Sequence, residues 1–155
     1  FKDKKIGTVA KHAPGHGSAN ADSHKKLPIV YKSTRHLYKN DFAAFDNLNS
    51  HFLMTAHVLY KKIDSKKSAT ISRNIINKII RKKLKYKGII ISDDISMKAL
   101  SKDIVINAKR ALNAGCNLVL HCSGDIKETT SLLNNLNTID KFTVKKTHHF
   151  YEFLR

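Results

Sequence analysis

Residues 88–97 read GIIISDDISM: Gly88, the isoleucines Ile89 to Ile91, Ser92, the paired acids Asp93 and Asp94, then Ile95, Ser96 and Met97. An unbroken run of β-branched residues suits a strand buried on both faces of a parallel sheet better than the alternation of a half-exposed one. Consecutive strand side chains point to opposite sides, so only one of Asp93 and Asp94 is expected to face a pocket. The other acid, or Ser96, is suited to cap a helix, which the spacing predicts over Met97 to Ala114 with Gly115 ending it.

The same grammar repeats outward in both directions. Phe52 to Leu59 (FLMTAHVL), Leu118 to Leu120 and a shorter run over Ile6 to Ala10 read as further strands. Ile71, Ile75, Ile76, Ile79, Ile80 and Leu84 fall at helical spacing, with Thr70 or Ser72 available for the first turn. Asp41 to Leu48 and Ile126 to Leu136 carry weaker helical patterns. About four βα units result, and the fold class is α/β. Two architectures compete: a small doubly wound sheet, for which 155 residues is a comfortable length, and part of a (β/α)8 TIM barrel, which takes about 250. Length favours the first, and the polar residues at the strand ends favour the second.

Composition bounds the function. With 41% hydrophobic residues the chain suits one soluble domain, and it has neither an apolar run of membrane-spanning length nor a secretory signal, so no membrane partner is expected. Cys116 and Cys122 are expected as thiols in a reducing, cytoplasmic setting. The formal charge of +17 invites a nucleic-acid reading. Yet Lys supplies 24 of the 29 basic residues, and Lys, Ile and Asn together make 52 of 155, a bias that A+T-rich coding produces on any solvated surface. The densest runs, Arg81-Lys82-Lys83 with Lys85 and Lys87, and Lys145-Lys146, are short and lie apart in sequence, so nucleic acid is not the expected partner.

Chemistry gathers at the strand ends. Lys11 to Gly17 reads KHAPGHG, a tight loop closely followed by Asp22-Ser23-His24 in ADSH. On these residues alone, His12, His16 and His24 are equally exposed loop histidines or ligand contacts. Neither a cysteine pair nor an HExxH helix accompanies them, so no metal is expected. Met54 to Val58 (MTAHV) brings His57 to another strand end.

KHAPGHG, ADSH, MTAHV, GIIISDDISM and ALNAGCNLVL, in that order from Gly7 to Cys122, resemble the hallmark segments of glycoside hydrolase family 3, in its bacterial β-N-acetylglucosaminidase (β-N-acetylhexosaminidase) branch. The resemblance implies a (β/α)8 barrel that cleaves β-linked N-acetylglucosamine from peptidoglycan-derived sugars with retention, in the cytosol and without a metal or organic cofactor. It implies Asp93 as the nucleophile that forms a covalent glycosyl-enzyme, His24 as general acid/base and Asp22 as the group that orients its imidazole. Lys11 and His12 match positions that hold sugar hydroxyls, and His57 matches a ligand contact.

Two departures stand beside these matches. Ala13 occupies a position where the family carries an aromatic residue, so a packing contact beneath the loop is expected to be lost. The strands that precede KHAPGHG in the family have no counterpart. The resemblance therefore reads as the carboxyl-terminal half of the enzyme, with residues 1–140 the corresponding half of the family's N-terminal-type barrel domain and 141–155 a tail without a motif. A partial barrel exposes strand edges, and an amino-terminal half is an expected partner. A partial sequence, a split gene and a decaying gene all give such a chain. The reading from a different class is a basic remnant of the scaffold that binds glycan or nucleic acid without catalysis.

Overall fold

Among the described residues of the computed structural model, 1–100 and 103–155, every strand pairing is parallel. The strands are β1 (Val9–Ala13), β2 (Ile29–Val30), β3 (Phe52–Thr55), β4 (Leu59–Tyr60), β5 (Ile89–Asp94) and β6 (Leu118–Leu120). The main sheet runs β1-β3-β5-β6, and β2 pairs with β4 in a small second sheet. Helix α1 (Thr34–Lys39) follows β1, a π-helix (Asn74–Lys83) follows β3, α2 (Ile104–Ala114) follows β5 and α3 (Ile126–Asn135) follows β6. Each new strand of the main sheet adds on the same side as the last. A doubly wound sheet needs a reversal of that order, so this α/β fold is wound as in a TIM barrel and holds four βα units of one. Chemistry at the strand ends was the better guide than length.

The isoleucine pattern explains the packing. Ile75, Ile76, Ile79 and Ile80 on the π-helix are buried in one core with Leu53 and Ile90 of the sheet. Each such side chain contributes roughly 1.5–3 kcal/mol on leaving water. Ser72 starts the helix, its Oγ accepting from the Ile75 amide at 3.3 Å, and the Leu84 amide closes it by reaching five residues back to Ile79. Gly115 ends α2 at φ +117, where a Cβ would stand 3.0 Å from Ile76 Cγ2.

Several boundaries are corrected. The first strand runs from Val9, not from exposed Ile6, and carries on into the KHA of the loop motif. Phe52 to Leu59 is not one strand: the chain leaves the sheet after Thr55 and re-pairs at Leu59-Tyr60 with Ile29-Val30. The helix expected from Met97 begins at Ile104, capped by Asp103, whose side chain accepts from the Ile106 amide; Met97 to Leu100 is a turn, and the 101–102 part of that expectation lies outside the described residues. Asp41 to Leu48 yields only a 3-10 turn at Ala43–Phe45, the helix lying upstream in α1, where Leu37 is the one buried residue and leaves little periodicity to read.

The tail is a helix, α4 (Lys141–Leu154), capped by Asp140. It packs across the amino ends of the strands: Phe150 meets Phe52 edge on at 4.8 Å between centroids, and Thr143 Oγ1 accepts from Asn117 Nδ2 at 3.0 Å. Asn117 Oδ1 also accepts from the Ile90 amide at 2.9 Å and from Arg81 at 2.7 Å, so one side chain joins the sheet, the π-helix and α4.

Candidate active site

The carboxyl ends of β1, β3, β5 and β6 open on the side away from α4, and the imidazoles of His12, His16, His57 and His121 stand there with the carboxylates of Asp93 and Asp94. Local polar bonds decide where each points. The loop after β1 is pinned from beneath: Asp41 accepts the Ser18 amide and hydroxyl, both at 2.7 Å, and the Tyr60 hydroxyl donates to the Gly15 carbonyl. Gly15 sits at φ +142 with a Cβ position only 2.8 Å from Asp41, so a larger residue has no room. Ala13 is fully buried, and the aromatic packing under this loop comes from Tyr60, edge on to Phe42 at 5.4 Å between centroids.

Asp93 and Asp94 separate as strand geometry demands. Asp94 turns into the structure: its carboxylate accepts from the Ser96 amide and hydroxyl at 3.0 and 2.7 Å and from the Cys122 amide at 3.2 Å. Burial alone would raise this carboxyl, but the bonds from Ser96 and Cys122 outweigh it and hold it below the ordinary carboxylate range. Asp94 therefore caps a turn between β5 and β6, not the helix expected at Met97. Asp93 faces His12, with Oδ2 3.9 Å from Nε2 and 14% of the side chain exposed. Burial lowers the His12 imidazole even though Asp93 pulls the other way, and Lys11 and His16 add to the lowering. Lys11 itself is exposed on β1, and His16 stands edge on to His12 at 6.4 Å between centroids.

His57 is fully buried, and both of its ring nitrogens are used within the chain. Nε2 lies 2.9 Å from the Asp94 carbonyl and Nδ1 lies 2.8 Å from Thr70 Oγ1. Burial lowers this imidazole, and the carbonyl of Asp94 opposes that. A neutral ring that donates from Nε2 is left with an acceptor at Nδ1, and the Thr70 hydroxyl beside it also lies 2.9 Å from Thr55 Oγ1 and 3.1 Å from the Ala56 carbonyl. The ligand contact expected of His57 is thus not made through its nitrogens; it holds the end of β5 in place.

Asp22 and His24 are close, but not through the imidazole. The Asp22 carboxylate accepts from the His24 backbone amide at 2.9 Å, which leaves the exposed His24 ring free of it. His24 is near enough to act electrostatically on His57. The imidazole beside Asp93 is that of His12. One group went unread in the sequence: His121 ends β6, its Nε2 2.9 Å from Ser123 Oγ and 3.2 Å from Glu128. The strand-end logic applied to His57 would have found it. Cys116 is buried, which pushes its thiol up to about 12 and removes it from chemistry. Both cysteines are free thiols, and among the described residues no group of three or more His, Cys, Asp or Glu is placed to hold a metal ion.

Residues 1–148 match the model of the glycosyl hydrolase family 3 N terminal domain. The chain belongs to glycosyl hydrolase family 3. The label of a carboxyl-terminal half is corrected by the same match, because the domain concerned is the family's N-terminal one. A β-hexosaminidase of Bordetella pertussis is 38% identical over 128 residues, which are 79% of this chain and 36% of that protein. The chain thus spans about a third of the length of the curated relatives that it matches. Among solved family 3 structures, a β-N-acetylglucosaminidase from Paenibacillus sp. str. FPU-7 superposes with a TM-score of 0.85 at 29% identity, over 99% of this chain and 31% of that one. NagZ from Neisseria gonorrhoeae in complex with N-trifluoroacetyl-D-glucosamine gives 0.81 at 28% identity, over 94% and 42%.

Proposed function

We propose that this chain supplies part of the catalytic face of a retaining β-N-acetylglucosaminidase. The observation that carries the reading is the half-buried Asp93 carboxylate at the carboxyl end of β5, turned toward His12 while its neighbour Asp94 is fully engaged in the fold. Family membership and the names of the relatives support the substrate class.

In this reading Asp93 attacks the anomeric carbon, the glycosidic C–O bond breaks, and a covalent glycosyl-enzyme forms. The His24 imidazolium gives its proton to the leaving oxygen, then takes one from the water that attacks the same carbon and frees the sugar with its configuration retained. Asp22 orients that imidazole. The Asx turn that now joins Asp22 to the His24 amide makes the loop compact, and closure of the loop over a sugar brings ring and carboxylate together. Lys11 and His12 hold sugar hydroxyls beside Asp93. The sugars are peptidoglycan-derived and the reaction cytoplasmic, without a cofactor. β1 and β6 are the edges of the main sheet, so the barrel is closed by further strands, which complete the sugar site.

The test is release of nitrophenol from 4-nitrophenyl N-acetyl-β-D-glucosaminide by the chain alone and with the segment that precedes this region in its relatives. Turnover in the second preparation is expected. Failure in both, together with salt-sensitive binding of DNA or acidic glycan, favours a non-catalytic basic module instead.

A further inference from the structure

The two densest basic runs of the sequence lie some sixty residues apart, yet the fold brings them to one hollow. A cavity of about 550 Å3 opens at the amino ends of the strands, on the face opposite Asp93. Lys85 and Lys87, from the segment before β5, and Lys146 and His149, from α4, line it together with the loop before β3. No Asp or Glu is among its lining residues. Two polar atoms of that loop, Ser50 Oγ and His51 Nδ1, are buried without a hydrogen-bond partner in the same wall. Lys87 and Lys146 also border an adjoining hollow of about 510 Å3 that contains Arg81.

We propose that this cavity binds a phosphoryl anion. Three lysines that line one concavity without an acid repel each other and gain most from a multiply charged ligand. A phosphoryl group supplies acceptor oxygens for lysine donors, and the Ser50 hydroxyl buried in the wall lacks an acceptor of its own. The tally of lysines by itself points to nothing, because this chain carries lysine everywhere. Convergence on one hollow, the absence of acids from its lining and the unpartnered polar atoms in its wall are what set these three apart. The site is independent of the reading of Asp93, since no residue is shared.

Calorimetric titration of the chain with inorganic pyrophosphate, near 0.15 M salt where surface attraction is screened beyond about 8 Å, tests this. Saturable 1:1 binding is expected, weakened at least about tenfold, or roughly 1.4 kcal/mol, in a Lys87→Gln/Lys146→Gln double variant. A Lys66→Gln/Lys67→Gln double variant, which removes the same charge from exposed positions, is expected to bind as the parent does. Circular dichroism of each variant confirms that it is folded. Absence of saturable binding by the folded parent, equal weakening in the two double variants, or a preference for single-stranded DNA that collapses with salt would each overturn the proposal.

Discussion

The imidazole of His57 is fixed against the Asp94 carbonyl, Nε2 to oxygen 2.9 Å, and so ties the loop that leaves β3 to the end of β5. Asp93 is the residue before that carbonyl. Its direction is therefore set partly by a buried ring that itself meets no solvent.

Replacing His57 with Phe leaves the Asp94 carbonyl without its imidazole donor, while the Thr70 hydroxyl keeps Thr55 and the Ala56 carbonyl. A loss of about 1–3 kcal/mol in urea unfolding is expected. Thr70→Val, which keeps the bond from the ring to the Asp94 carbonyl but takes a hydroxyl from His57, Thr55 and Ala56, should cost less than His57→Phe. An equal or larger loss would show that the Thr70 side matters more than the carbonyl.

Asn117→Ala removes three hydrogen bonds that join β5, the π-helix and α4. Stability should drop by about 3 kcal/mol, measured by the same unfolding curves, with the buried Ile90 amide as the main cause. The change lies far from Asp93, so hydrolysis by molecules that remain folded should be unaltered.

Acid should destabilise the fold in two windows. His12, His51 and His57 all lie below the ordinary imidazole value in the folded chain, chiefly through burial. Their contribution is complete above the unfolded value of about 6.5 and is lost as pH falls from there toward the lowered folded values. Asp64 and Asp94 are held below the carboxylate range by hydrogen bonds that outweigh their burial. Their contribution is lost in turn as pH falls below about 4. Melting temperature followed from pH 8 to pH 3 checks this, and a rise in stability between pH 7 and pH 5 would contradict the imidazole part.

How much of this was legible in the residues depends on how local the signal is. The runs Ile89–Ile91 and Leu118–Leu120, and the isoleucines from Ile75 to Ile80, declare strands and helix because burial repeats along the chain itself. Strand geometry also foretold that Asp93 and Asp94 would part. The break after Thr55 was not readable, since what ends that strand is a pairing of Leu59-Tyr60 with Ile29-Val30, thirty residues earlier. Nor could residue order reveal that Thr70 would fix the His57 ring, that Tyr60 would hold the Gly15 loop, or that Lys85 and Lys146 would share a hollow. Those are contacts between distant elements, for which a chain leaves no periodic trace.

If His24 protonates the leaving group, His24→Gln should slow hydrolysis of an N-acetylglucosaminide with an alkyl leaving group by about 10^2–10^4-fold. A nitrophenyl leaving group needs little protonation and should suffer far less in the bond-breaking step. Equal slowing on both substrates would assign His24 to binding. Asp22→Asn should follow His24→Gln in direction, with a smaller effect.

Peptide mapping by mass spectrometry during turnover tests directly whether Asp93 bonds to the anomeric carbon. With 4-nitrophenyl N-acetyl-β-D-glucosaminide and the barrel-completing segment present, acid quenching should leave an N-acetylglucosaminyl mass on the peptide that carries Asp93, and Asp93→Asn should abolish both adduct and nitrophenol release. A sugar found on another side chain, or undiminished release by Asp93→Asn, would contradict it.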